Sequence, residues 1–287
     1  MRKFFFIVLL LLFIQPVYAI RIGLQEGVRS TYVGASKNAE IIDGQTGKVL
    51  YEMRPLTAYT LKPNGNTFSI RIRRKNYKLK TNYIIIQPKE PKCFMGTKNR
   101  WYRGRLIVYN VDRKITVINE LPLEEYLLGV VPSEMPYKWN FEAHKAQAIA
   151  ARSYAVANMG KRGSKGYDLK DTPQDQAYGG ISSEKPNTTQ AVLQTKGVIM
   201  THNNKIIAAY YHASSGGKTV AAKSVWMKDL PYIHSVNGYD SGIKKNGHGV
   251  GMSQHGANNL AQKGYDAYQI LNYFYKDIKF GKMKTQL

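Results

Sequence analysis

Residues 121–136 read LPLEEYLLGVVPSEMP, and the character of the chain changes within them. The run from Leu121 predicts a short helix closed by Gly129, and the prolines at 132 and 136 argue against regular structure across the remainder, so Glu134 is expected on a loop. Downstream, Asn140 can cap a helix in which Phe141, Ala146, Ile149, Ala150 and Ser153 recur at helical spacing, with Gly160 as its stop. Its alanines, from Ala143 to Ala157, allow close packing against another element. A second helix is expected from Asn187 to Lys196, stopped by Gly197, followed by a hairpin of Val198 to Met200 and Ile206 to His212 across His202, Asn203 and Asn204. Ser253 and Asp266 can each cap a further helix, the second presenting Ile270, Leu271 and Phe274 to a core.

Upstream the pattern is that of strands. Phe68, Ile70 and Ile72 are spaced by two, Tyr83 to Ile86 form an apolar run, and Leu106 to Tyr109 with Ile115 to Ile118 read as a hairpin across residues 110–114. Mixed helices and hairpins without alternating βαβ units predict an α+β fold. The expected layout is a β-rich region over residues 20–118, then a mixed helix and hairpin part over 119–287.

The first nineteen residues carry Arg2 and Lys3, an apolar run from Phe4 to Ile14, and small or medium residues at Val17 and Ala19, as in a secretory signal peptide cleaved near Ala19. Eleven apolar residues fall short of the roughly 20 that span a bilayer. An exported location, periplasm or cell envelope, is therefore expected. The net charge is +23, of which that segment supplies only Arg2 and Lys3. For an exported protein such a charge points to anionic envelope polymers rather than nucleic acid, although scattered basic residues equally describe a generally lysine-rich surface. Cys93 is the single cysteine, which excludes an internal disulfide.

Five runs occur in order over roughly residues 101–280: LPLEEYLLGVVPSEMP, EAHKAQAIAARSYA, QAYGG, AAYYHASSGGKT and GHGVGMSQHGA. Together they resemble the stage II sporulation protein D / LytB family. The resemblance implies an exported lytic transglycosylase that cleaves peptidoglycan glycan strands, preferably stripped of stem peptides, and leaves 1,6-anhydro-muramic acid ends. It assigns the catalytic carboxyl to Glu134, acting as general acid and then as base. The alternative it leaves open is a non-catalytic amidase enhancer or wall-binding modifier, with a cell-wall amidase as partner. Physical chemistry agrees with the first assignment, because a carboxyl between two prolines, beside Met135 and ahead of Trp139, can be partly desolvated and held protonated.

Other candidate site residues carry two readings each. Gln147 and Arg152 sit on the alanine-rich helix, where burial of polar groups demands partners; Arg152 can bind a lactyl carboxylate or fix Glu134, and Gln147 can equally face solvent. Tyr178 can lie on a sugar face or pack in the core. His212, Ser214 and Ser215 end a strand in a glycine-rich loop suited to acetamido and hydroxyl groups. His248, Ser253 and Gln254 form a further polar cluster. Asp175 and Asp240 are the candidates for a second carboxylate, or are turn residues. No cofactor is expected: some relatives carry a cysteine and histidine zinc cluster, but Cys93 alone, with His144, His202, His212, His234, His248 and His255 lacking ligand spacing, cannot reproduce it. His144 is expected at the surface. Only residues 240–246 join Tyr239 to Gly247, where many family members carry tens more.

Overall fold

The computed structural model describes residues 19–227 and 229–283; the expected signal segment lies, apart from Ala19, outside them. The fold is α+β, with strands through the N-terminal half and helices after residue 122. A seven-stranded sheet runs in the order Leu169–Lys170, Ala19–Val28, Lys114–Pro122, Arg105–Val111, Tyr83–Pro88, Ala39–Asp43 and Val49–Met53. The expected hairpin is its centre: Ile107 faces Ile118 and Val108 faces Val117, and the turn places Asp112 and Arg113 at positive φ. A second, six-stranded sheet includes Thr67–Ile72, in which Phe68 and Ile70 are buried as their spacing requires.

Among the described residues six α-helices follow: α1 (Leu123–Glu134), α2 (Phe141–Ala157), α3 (Pro186–Gln194), α4 (Lys223–Trp226), α5 (Gln254–Gln262) and α6 (Ala267–Phe274). The caps read from sequence are in place. Asn140 accepts from the Glu142 amide, Ser253 from that of Gly256, and Asp266 from that of Gln269 in a reciprocal capping box.

Two hydrophobic cores meet at α2, which is why that helix is built of alanine. Ala148, Ala151 and Ala155 pack into a core shared with the strands (Ile22, Ile41, Val117) and with α1 (Leu127, Val130). Ala143, Ala146, Ile149 and Ala150 pack into another with Met135, Met252, Leu260, Leu271 and Phe274. A helix buried on both sides needs small side chains so that neighbours approach closely.

Two expectations about local structure are corrected. First, α1 does not stop at Gly129 but runs through Pro132 to Glu134. Proline in the last turn forfeits one backbone bond, and the end is held by Ser133 Oγ donating to the Gly129 carbonyl at 2.7 Å and the Met135 amide donating to Val131 at 3.0 Å. Gly129 is there for close approach: a Cβ would lie 2.6 Å from the Tyr178 ring and 3.1 Å from the Gly180 carbonyl. That ring is itself confined between Tyr102 and Tyr126. Alanine gains about 1 kcal/mol of helix propensity over glycine, but overpacking costs about 1–3 kcal/mol where the neighbour cannot yield. Gly129→Ala is therefore expected to lower the melting temperature, and an unchanged or raised value in thermal denaturation would contradict this packing.

Second, the hairpin after α3 is shorter than expected. Val198–His202 pairs with Lys205–Ile206 across Asn203 and Asn204, both at positive φ, and also with Lys279–Lys282. The chain then leaves that sheet, and Tyr211–His212 pairs in parallel with Met252–Ser253. Gly251 makes this possible, since a Cβ there would stand 2.0 Å from the Tyr210 carbonyl.

Candidate functional site

The end of α1, the loop 171–178, the strand Tyr211–His212, α4 and the start of α5 enclose a cleft of about 600 Å³ with Glu134 in its wall. Glu134 Oε1 accepts the Ala177 amide at 2.6 Å, and Oε2 lies 3.4 Å from Gln254 Nε2. Burial raises its pKa, and the hydrogen bonds from Ala177, Gln254 and Tyr211 pull downward without cancelling that effect. Its place at a helix C-terminus, beside free carbonyls, disfavours the charged form further.

The surroundings of Glu134 are rigid. Gln176, fully buried, accepts from Tyr126 Oη at 3.2 Å and donates to Tyr211 Oη at 2.8 Å, which leaves the Tyr211 proton for Glu134. His144 donates from Nε2 to the Pro136 carbonyl at 3.0 Å and fixes the backbone just after the carboxyl. It is fully buried, which corrects its expected surface position.

Of the expected site residues, His212, His248 and Gln254 join Glu134 in the cleft wall. His212 donates from Nδ1 to the Val250 carbonyl at 3.2 Å, so its buried and unpartnered Nε2 is a bare acceptor, and burial lowers its pKa to about 4. His248 accepts the Val250 amide on Nδ1 at 3.0 Å, which puts its proton on Nε2; burial lowers its pKa as well. Two neutral imidazoles of opposite tautomer thus stand with ring centres 5.6 Å apart.

The remaining expected contacts are spent inside the protein. Arg152 is fully buried and forks onto Glu124 with two bonds of 2.8 Å, so it reaches neither Glu134 nor the cleft. Tyr178 packs against Gly129 and donates to Asn119 Oδ1 at 3.0 Å, a core role rather than a sugar platform. Ser214 Oγ donates to the Lys244 carbonyl at 2.6 Å. Ser215 and Ser253 each donate to Asp240 at 2.6 Å, joined by the Gly217 amide at 2.7 Å. Burial acts to raise the pKa of Asp240, but these donors outweigh it and hold the carboxylate ionised. The hydroxyls of the glycine-rich loop therefore fold the loop. Gln147 is fully buried outside the cleft wall, with both side-chain polar atoms unpartnered; it does not face solvent.

Asp175 does line the cleft, yet it is held by Lys161 Nζ and Arg162 Nε at 2.7 Å each and by the Lys170 amide at 2.9 Å. Burial opposes ionisation, but these cations lower its pKa overall. Glu134 is the one described carboxyl in the cleft wall with a raised pKa. Sequence reasoning passed over the aromatic wall of Tyr154, Tyr210, Tyr211 and Trp226, although Tyr210 and Tyr211 stand directly before His212. Trp226 packs against Tyr210 and His248 with ring centres at 4.5 and 4.9 Å and remains 37% exposed, free to meet a ligand. Among the described residues no group of three His, Cys, Asp or Glu side chains is placed to hold a metal ion.

The sequence model of the stage II sporulation protein family matches residues 111–202, a span that includes Glu134 and all of α2. A Bacillus subtilis protein named amidase enhancer is 36% identical over 193 residues, covering 67% of this chain and 25% of the relative. Stage II sporulation protein D of Bacillus amyloliquefaciens is 40% identical over 134 residues, 42% of this chain and 39% of the relative. An uncharacterized protein of Brachyspira hyodysenteriae is 38% identical over 136 residues, 47% of this chain and 37% of the relative. The chain thus spans about a quarter to two fifths of the length of these relatives. Residues 111–202 thus match the stage II sporulation protein family, and the chain is similar to proteins named stage II sporulation protein D and amidase enhancer.

Proposed function

We propose that this chain is an exported lytic transglycosylase that cuts peptidoglycan glycan strands, with residues 119–287 as its catalytic part and the β-rich residues 20–118 as their support. The observation that carries the reading is Glu134, a carboxyl of raised pKa opening on a cleft walled by aromatic rings and neutral imidazoles. Protonated, it gives its proton to the glycosidic oxygen as the bond to muramic acid C1 breaks. The C6 hydroxyl of the same sugar then closes on C1 and returns a proton to the carboxylate. One group serves both steps, so a second free carboxylate is not required, in keeping with the locked states of Asp175 and Asp240. Aromatic faces at Trp226 and Tyr210 suit the CH faces of sugar rings, and His212 Nε2 offers an acceptor for a hydroxyl or acetamido N–H.

The name amidase enhancer on one relative supports a second reading, in which the cleft binds glycan strands and aids a wall amidase without cutting. Digestion of purified strands with and without stem peptides, followed by mass spectrometry of the ends, separates the two. Anhydro ends are expected; reducing ends would mean hydrolysis, and intact strands would favour the amidase modifier.

The pH profile follows from the direction of the shift. Glu134 must be protonated when substrate binds, so kcat/KM is expected to fall on the alkaline side of its folded-state pKa, which lies above the ordinary 4.5. Below that value Glu134 stays protonated and imposes no acidic limb of its own. A rate that rises with pH through this range would remove Glu134 as the acid.

A further inference from the structure

The cleft does not end at Ala177. Ser133, Pro173 and Ala177 also line a second groove of about 600 Å³, and Arg100 is shared between that groove and a third hollow of about 330 Å³ containing Tyr32, Leu56 and Trp101. Shared lining residues thus link the three hollows in order, from the one that holds Glu134 to the one in the β-rich half. Its far part is carried by the hairpin of Met95–Thr97 and Arg100–Tyr102, whose turn residues Lys98 and Asn99 are at positive φ. Lys98 pins the hairpin, donating to Asp171 at 2.7 Å and to the Leu24 carbonyl at 3.1 Å. Asp171 in turn accepts the Tyr178 amide, in the same loop whose Ala177 amide holds Glu134. The hairpin and the carboxyl are therefore positioned by one loop.

Charge distinguishes the two cations on this hairpin. Lys98 is neutralised by Asp171, whereas exposed Arg100 makes no ion pair among the described residues; its guanidinium donates to the Tyr178 carbonyl at 3.4 Å and lies beside the Tyr102 hydroxyl. Beyond it lie the half-buried rings of Trp101 and Tyr32 and a leucine, Leu56, that is 76% exposed. A free guanidinium followed by apolar and aromatic surface is complementary to a sugar polymer bearing carboxylates at intervals. A glycan strand freed of its stem peptides is such a polymer, with a lactyl carboxylate on every muramic residue.

We propose that the hairpin forms a distal subsite for the glycan strand, with Arg100 binding a lactyl carboxylate and Trp101 supporting the adjoining sugar. This rests on the reading of the cleft as a glycan site. It makes the β-rich half a determinant of chain length and of the stripped state of the substrate.

The test uses the full chain with Glu134→Gln, so that strands are bound and not consumed, and compares Arg100→Gln and Trp101→Ala with their parent. A charge-assisted hydrogen bond contributes about 1.5–3 kcal/mol, so Arg100→Gln should weaken binding of long stripped strands about tenfold or more, with no change in melting temperature. Trp101→Ala should weaken the same strands. Short oligosaccharides that fill only the cleft should bind all variants alike, and strands with amidated carboxylates should not distinguish Arg100→Gln from its parent. Equal affinity of parent and Arg100→Gln for long stripped strands overturns the subsite, as does an equal loss on short oligosaccharides or on amidated strands. Binding of an acidic peptide through Arg100, with no length dependence on glycan, likewise overturns it. If the unsubstituted chain fails to cut but Arg100→Gln still loses long strands, the transglycosylase reading fails and the subsite stands. Cleavage with no length dependence at Arg100 gives the reverse.

Discussion

Glu134→Gln is expected to abolish cleavage of stripped glycan strands while the protein stays folded and binds them. General acid and general base steps are each worth roughly 10² to 10⁴ in rate, and one residue performs both, so the loss should be at least of that size. Glutamine keeps the shape and can still accept the Ala177 amide that Glu134 Oε1 receives at 2.6 Å. It lacks the proton to give. Asp175→Asn is the control: its carboxylate is engaged by Lys161 and Arg162, so its loss should loosen the loop and lower stability without removing the acid.

Stability supplies an independent check on the same variant. Because the folded-state pKa of Glu134 is raised above 4.5, the native state holds its proton more tightly than the unfolded state. Stability therefore declines as pH rises from 4.5 through the folded-state pKa, and the penalty is complete above it. Glutamine has no such penalty. Glu134→Gln should melt at or above the wild-type temperature at neutral pH, with the difference vanishing at more acid values. A variant that melts well below wild type at neutral pH would mark Glu134 as structural, and one that cuts at near the wild-type rate would leave the amidase-modifier reading in its place.

What could be read from the sequence was what is decided locally. Asn140, Ser253 and Asp266 cap helices through an amide two or three residues away, and each was legible. The alternation at Phe68 and Ile70 is likewise a property of one strand. Gly129 was misread because a glycine that ends a helix and a glycine that admits an aromatic ring look alike until Tyr178 is in place. Ser214 and Ser215 resemble ligand-binding hydroxyls in a glycine-rich run, but the acceptor of Ser215 is Asp240, 25 residues along the chain. The aromatic cleft wall was missed for a related reason, since nothing local separates Tyr211 and Trp226 from core aromatics. Glu134 was singled out through family resemblance; its neighbours Pro132, Met135 and Trp139 pointed to desolvation, but the distant Ala177, Tyr211 and Gln254 that surround it were not legible.

Arg152→Ala is expected to unfold the protein or nearly so, which separates a structural guanidinium from one that reads substrate. Arg152 joins four elements: its fork meets Glu124 in the first turn of α1, it donates to the Val198 carbonyl at 3.1 Å, and weaker bonds of 3.4 Å reach Ala148 in α2 and Val192 in α3. Glu124 also accepts the Gly197 amide at 3.1 Å, so the pair closes the corner where α3 passes into the following strand. Truncation leaves Glu124, 22% exposed, without its counter-charge, removes one donor from each of three carbonyls, and opens a cavity. Removing one partner of a buried pair costs about 3–5 kcal/mol, a large part of the 5–15 kcal/mol that holds a typical domain together. Arg152→Lys keeps charge but not the fork and should fall between. Arg152→Met combined with Glu124→Gln should recover much of the loss, because no unpaired charge is then left buried. Denaturant titration of the four proteins measures these differences. If Arg152→Ala instead keeps wild-type stability and raises KM for stripped strands, the guanidinium faces the substrate and the packing described here is wrong.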